Sequence, residues 1–228
     1  MRNAAWIEKY DGEKVHWHNL DGYFKPIVTR FFIAWFATAP LIASLTKNYP
    51  SIFVLPFDWW ILWSASLSYA IAFAIHAWKC PQFIKRYPTY LAYQARGHSP
   101  RWLVWEFFGC WSAIHESGRQ KLESRVVEKK YAKETTENLV CREKPQVLER
   151  GTIFQFPHNN KSYDLTIKED APSEAVKDLF WEIFGRWTSS FTKTRLLIWG
   201  LLALAVVLVL WTVVQDIWFV ISLLWAQK

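Results

Sequence analysis

His76 and Cys80 stand four residues apart at the end of an apolar run, a spacing that puts an imidazole and a thiol on one helical face. Such a pair can begin a tetrahedral metal site, which needs further ligands from elsewhere. None announces itself, so the pair reads as an interfacial histidine beside an ordinary thiol. His16-x-His18, flanking Trp17, is equally short of partners. The three cysteines, Cys80, Cys110 and Cys141, show no CxxC and no paired spacing. They point to reduced thiols in a cytosolic setting rather than a disulfide framework or zinc knuckle. No Ser-His-Asp arrangement, HExxH, P-loop or GxSxG occurs. Glu106 and Glu182 stand as isolated carboxylates. The sequence therefore predicts no catalytic residues, no metal, no cofactor and a chain that is not an enzyme.

The elements that must carry these residues are apolar. The chain of 228 residues is 52% hydrophobic yet 21% charged, a mixture that suits membrane spans joined to a polar segment. Its 16 Trp cluster near the ends of apolar runs, where indole favours the membrane–water boundary. Pro26–Leu45 is the first run, with Arg30 able to snorkel and Pro40 a site for a kink. Trp59–Trp78 is the second, at the length a bilayer core requires. Leu196–Val214 spans roughly 28 Å as a helix, one bilayer core. Gln215 and Asp216 then fall near the far interface. Ile217–Trp225 is too short to return across the membrane, so a single continuous or gently kinked helix is expected.

Polar positions within the spans are few. Ser64, Ser68 and Ala72 form a small-residue stripe suited to close helix packing, against the first span or against a second copy. Thr212, Gln215 and Asp216 could face a pore or a partner. Leu197, Leu204, Trp211, Trp218 and Trp225 recur every seven residues along one stripe. A partner or neighbouring subunit could shield it, or the indoles could anchor the helix in lipid. Arg30, His76 and Asp216 lie near span ends, with none at the midplane where a proton relay would sit.

Lys and Arg set the expected orientation. Five precede or begin the first span, one follows it, twenty lie within 79–195 and one closes the chain. The positive-inside rule puts the N-terminus and the middle segment in the cytosol and the C-terminus outside, in an inner or plasma membrane. The mixed, polar first 25 residues suggest no cleavable signal. Asn160-Lys161-Ser162 fits a glycosylation sequon that this topology keeps in the cytosol. Lys79, Lys85, Arg86, Arg96 and Arg101 form a basic collar suited to anionic lipid, and nucleic acid is not expected as a partner.

In the middle segment, Trp102–Ile114 is apolar around most of a helix. It is expected to lie in the interface or pack under the spans; crossing would change the side of everything after it. Glu116–Lys144 is expected to be helical, with Glu123 and Lys130 on exposed faces. GTIFQF and SYDLTI flank a turn-rich stretch, Pro157–Lys161, and predict a β-hairpin. A helix follows, capped by Asp170 or Ser173, with Val176, Leu179, Phe180, Ile183, Phe184, Trp187 and Phe191 on one face.

The expected fold is a mainly α membrane protein. Its parts are an N-terminal tail (1–25), a transmembrane hairpin (26–78), a cytosolic α+β segment with the hairpin (79–194) and a third span with a Trp-rich extension (195–228). The expected role is a non-enzymatic anchor and interaction subunit of a cell-envelope assembly of conjugation, secretion or exclusion type, with lipid and either a protein partner or further copies as its contacts. The alternative is an oligomeric, membrane-permeabilising effector of phage-defence or toxin type, gated by its cytosolic segment.

Overall fold

Long apolar runs coil into three long helices, one of them through an internal proline, and a shorter, mixed stretch builds a four-stranded sheet with its own helical cover. The computed structural model describes residues 15–48, 58–135 and 144–226. In chain order the elements begin with α1 (Trp17–Leu20), α2 (Pro26–Asn48), α3 (Trp59–Lys79), α4 (Gln82–Arg86) and α5 (Tyr90–Gln94). Then come α6 (Leu103–Ala113), α7 (Glu116–Glu128) and four strands: β1 (Ala132–Glu134), β2 (Gln146–Leu148), β3 (Gly151–His158) and β4 (Lys161–Lys168). The last helices are α8 (Ser173–Ser189) and α9 (Thr192–Ala226). Two units result: Met1–Cys80 with Thr192–Lys228, and Pro81–Phe191.

In the first unit α2, α3 and α9 are each long and apolar enough to cross a membrane, the three such helices among the described residues. α9 is one unbroken helix of 35 residues, about 52 Å long. Ile217–Trp225 therefore prolongs the third apolar helix. α3 is the middle member, packed on both neighbours. On one side Phe32 stacks on Tyr69 at 4.3 Å and Phe36 on Trp63 at 5.8 Å, while the Thr29 and Tyr69 hydroxyls share a 2.8 Å hydrogen bond. Helical geometry turns Ile61, Ala65, Ser68 and Ala72 away from that aromatic face; all are buried, and α9 is the remaining neighbour. α9 answers with a stripe of Ile198, Leu202, Ala205 and Thr212. Pro40 lies inside α2. The apolar link expected in the interface, Ile52–Phe57, is outside the described residues.

The second unit is an antiparallel sheet of order β1-β4-β3-β2 under helices. The expected hairpin is β3–β4, and it is longer than the sequence suggested: pairing runs from Gly151–Lys168 to His158–Lys161. Only Asn159 and Asn160 form the turn, at φ 49° and 60°. Two successive left-handed residues are the turn that matches strand twist, and asparagine tolerates them best after glycine. Gly151 has no freedom to be anything larger, because a Cβ there would meet the Ile167 carbonyl oxygen at 2.9 Å. Phe154 and Phe156 point to one face, where Phe107 meets them at 6.1 and 5.6 Å. Phe108 and Trp111 close on Phe154 as well. The apolar helix α6 is thus core to this unit.

Three expectations need correction. Helix does not persist from Glu116 to Lys144. It stops at Glu128, where Lys130 at φ 60° and the bonds Tyr131 N–H to Val126 O and Lys130 N–H to Val127 O close a Schellman motif. Lys133 and Glu134 then pair with β4. No side chain caps α8; Pro172 stands at its N-cap, and neither Asp170 nor Ser173 takes that role. Phe191, expected on the apolar face of this helix, is outside α8 at φ 53°, and α9 begins directly after it at Thr192.

Candidate functional site

The polar ties of the helical unit that reach farthest along the chain lie at its two ends. At one end the short α1 folds its apolar side inward. Trp17, wholly buried, lies 5.8 Å from the His76 ring, and Phe24 lies 4.7 Å from it. His76 is therefore packed among aromatic rings. Cys80 is buried and donates its backbone N–H to the His76 carbonyl, closing α3. Among the described residues no group of three or more His, Cys, Asp or Glu could hold a metal. His18 is exposed.

Arg195, in the first turn of α9, is wholly buried. Its guanidinium donates to the Val15 carbonyl at 3.0 Å and to Thr192 Oγ1 at 3.0 Å. A buried guanidinium must be met by acceptors, and the N-terminal segment supplies one from 180 residues away.

At the opposite end Gln215 is the linking residue. Its Nε2 donates to Asp58 Oδ2 at 2.9 Å, and its Oε1 accepts from the Asp58 backbone N–H at 3.3 Å. One side chain thus fastens α9 to the residue that starts α3. Thr212 is buried and its hydroxyl donates to the Leu208 carbonyl one turn back. Asp216 is half-buried, with Oδ1 shielded and without a hydrogen-bond partner. So of the three residues read as a pore or partner face, Thr212 and Gln215 are engaged within the chain.

The small-residue stripe is graded. Ser68 and Ala72 are buried, whereas Ser64 is half-buried and donates to the Trp60 carbonyl. The heptad stripe on α9 lies about a quarter turn round the helix from the buried Ile198–Thr212 line, each member next in sequence to or beyond a buried one, and it is exposed. Trp211, Trp218 and Trp225 are 55%, 71% and 80% exposed, increasing toward the C-terminal end.

In the second unit the basic collar is spread over short elements. Lys85, Arg86 and Arg96 are exposed and Arg101 is half-buried. Arg96 sits 5.4 Å above the Tyr87 ring. Lys79, at the end of α3, lies over Trp78 at 4.3 Å. Beside the collar, Tyr87, Tyr93 and His98 pack together, with a 3.0 Å bond between Tyr87 hydroxyl and His98 Nε2. Burial raises the Tyr93 phenol above its ordinary range. It raises the Glu106 carboxyl too, although the Trp102 indole donates to it and Arg86 lies nearby. Burial likewise raises the Cys110 thiol, which leaves a neutral core residue.

Sequence reasoning missed one polar cluster altogether. Glu123, expected on an exposed face, is 5% exposed. Trp111 Nε1 donates to its Oε1 at 2.7 Å, and His158 Nδ1 lies 3.2 Å from its Oε2. Since the carboxylate only accepts, Nδ1 carries the proton, and Nε2 can accept from the Asn159 amide at 3.1 Å. Arg119 completes the cluster, with its guanidinium 4.2 Å over the Trp111 ring and its Nε on the Trp111 carbonyl. This network ties α6, α7 and the hairpin turn. Its groups are occupied with one another, an arrangement that fixes structure rather than exposing a reactive atom.

A groove of about 370 Å³ lies between β4 and the start of α8, bordered by Tyr131, Ile167, Lys168, Asp170 and Val176. No known protein family, curated protein or solved structure matches this chain.

Proposed function

We propose that this chain is a multi-pass membrane anchor and interaction subunit of a cell-envelope assembly, with no catalytic role. The observation that carries the reading is the insertion of a separately cored α+β unit, Pro81–Phe191, between apolar helices long enough to cross a bilayer. A soluble module fixed at both ends to spans is held at one membrane face. The distribution of Lys and Arg supports a cytosolic face for that module and for the N-terminus, in an inner or plasma membrane, and an external C-terminus. The exposed collar of Lys85, Arg86 and Arg96 suits anionic headgroups.

The permeabilising reading is less well supported. It needs polar side chains free to line a path, and Thr212 and Gln215 make their hydrogen bonds within the chain. Purification from native membranes in mild detergent, with total mass and co-purifying chains determined together, tests the choice. A small oligomer bound to other envelope proteins is the expected result. A large homo-oligomer without partners, together with rapid depolarisation on induced expression, would overturn it.

A further inference from the structure

Residues 216–226 of α9 run on past the level at which α3 begins. The Asp58–Gln215 bonds mark that level, so the eleven residues beyond extend about 16 Å further. α2 overshoots the same level. Phe32 opposite Tyr69 and Phe36 opposite Trp63 set the antiparallel register, and carrying it on to Asp58 reaches the neighbourhood of Leu41. Seven residues of α2 remain, about 10 Å, before the helix ends beside Lys47 and Asn48. The linking sequence Ile52–Phe57 is itself apolar.

Beyond Asp216 the overhang of α9 has no polar side. Ile217, Trp218, Phe219, Val220, Ile221, Leu223, Leu224 and Trp225 surround the axis, and the Ser222 hydroxyl is turned onto the Phe219 carbonyl at 2.7 Å. A helix lying in the headgroup plane needs a polar face, and this one is continuous with the span rather than bent from it. Water is excluded as its surroundings by the exposed area of its aromatic and aliphatic side chains. Close helix packing in a membrane favours small residues. Ala205 and Thr212 lie in the α3 seam, the exposed Gly200 stands more than four turns before the overhang, and the overhang's own outer stripe is Trp218 and Trp225.

We infer that Ile217–Trp225 is embedded in lipid acyl chains, with Trp225 at the far headgroup level, so that the Asp58–Gln215 pair and Asp216 lie inside the far leaflet rather than at its edge. This rests on the membrane-spanning reading above. A tilt of about 40°, the upper end of the usual range, brings the roughly 45 Å of Leu196–Trp225 close to one bilayer thickness. The Lys47 end of α2 then reaches the same interface, and the polar pair sits on the order of 10 Å beneath it.

The test places a ketone-bearing phenylalanine at Ser222 or Val220 in the full chain, attaches a nitroxide, and reconstitutes the protein in phosphatidylethanolamine–phosphatidylglycerol vesicles. Val207, in the middle of α9, is the control. Collision with oxygen should exceed collision with a water-soluble nickel chelate at all three positions. Nickel favoured at 220 and 222 but not at 207 overturns the inference and leaves the span standing. Nickel favoured at 207 as well removes the membrane-spanning reading itself. Dipolar broadening at 220 or 222 identifies a second copy as the occupant and overturns lipid.

Discussion

Replacing Glu123 with alanine should loosen the second unit from the hairpin turn outward. The substitution leaves the Trp111 indole N–H and the His158 Nδ1–H without their acceptor in a site almost closed to water. Hydrogen bonds to a charged group are each worth about 1.5–3 kcal/mol, and the stranded donors keep their desolvation cost. Local rearrangement and entry of water recover part of this, which leaves a loss of about 3 kcal/mol. At 1.36 kcal/mol per tenfold, amide exchange in β3 and β4 should accelerate about a hundredfold. Glu123→Gln makes the sharper comparison. Its carbonyl still accepts from the indole, but its amide faces His158 Nδ1. The imidazole must then move its proton to Nε2 and surrender the Asn159 bond. That variant should lose about 1 kcal/mol. Hydrogen exchange by mass spectrometry on the intact protein in micelles reads both. Equal, near-zero changes in β3–β4 protection for the two variants would refute the network as a source of stability.

Four other outcomes follow from local geometry. Phe191→Gly should stabilise the chain by about 1 kcal/mol, since glycine adopts φ 53° without the steric cost borne by phenylalanine; thermal melts in detergent check this. Gly151→Ala should cost about 2 kcal/mol and weaken protection at Lys168, because the added methyl meets the Ile167 carbonyl. Burial would raise Glu182, but hydrogen bonds from Arg125 and Lys129 outweigh it and hold its carboxyl below 4.5. Its stabilisation is therefore present above pH 4.5 and lost as pH falls through the depressed value, so Glu182→Gln should lower the melting temperature at pH 7 and converge with the parent in acid. Glu106 has the opposite sign. Burial raises it, so stability fades as pH climbs through the raised value, and Glu106→Gln should melt higher than the parent at pH 7 and equal it below pH 4.5.

How much of this was legible in sequence varied with the range of the interaction. The long helices announce themselves by uninterrupted apolar length, and the hairpin by alternating residues around adjacent asparagines. Those signals are local. The three-residue strands β1 and β2 carry no alternation long enough to read; they exist because β4 and β3 offer them unpaired edges. Glu123 flanks the buried Leu122 and Val126 in a run of charges, so nothing in its own neighbourhood marks it as buried. Its partners lie 12 and 35 residues away. Phe191 continues the apolar spacing of α8, and only the left-handed backbone removes it from the helix. The bonds from Arg195 to Val15 and from Gln215 to Asp58 cross 180 and 157 residues. Such ties have no sequence signature, because nothing near either partner marks the other.

The Asp58–Gln215 tie also discriminates between depths. In the headgroup region, water can replace either partner, and Gln215→Leu should change stability by only a few tenths of a kcal/mol. Within the acyl region the same change strands the Asp58 carboxylate and its backbone N–H, both served by Gln215. Polar pairs between transmembrane helices have coupling energies averaging about 0.6 kcal/mol and reaching about 1.7. The amide-to-carboxylate bond at 2.9 Å places this pair at the upper end. A double-mutant cycle of Asp58→Ala and Gln215→Leu, followed by unfolding in bicelles, isolates that side-chain coupling, because the backbone N–H at position 58 survives the alanine substitution. A coupling above about 1 kcal/mol agrees with a clasp inside the far leaflet. Additive single effects would put the pair in contact with water and return Asp216 to the membrane edge. The same cycle reports on the anchor itself, because the clasp is the contact described at that end that sets the height of α9 against α3.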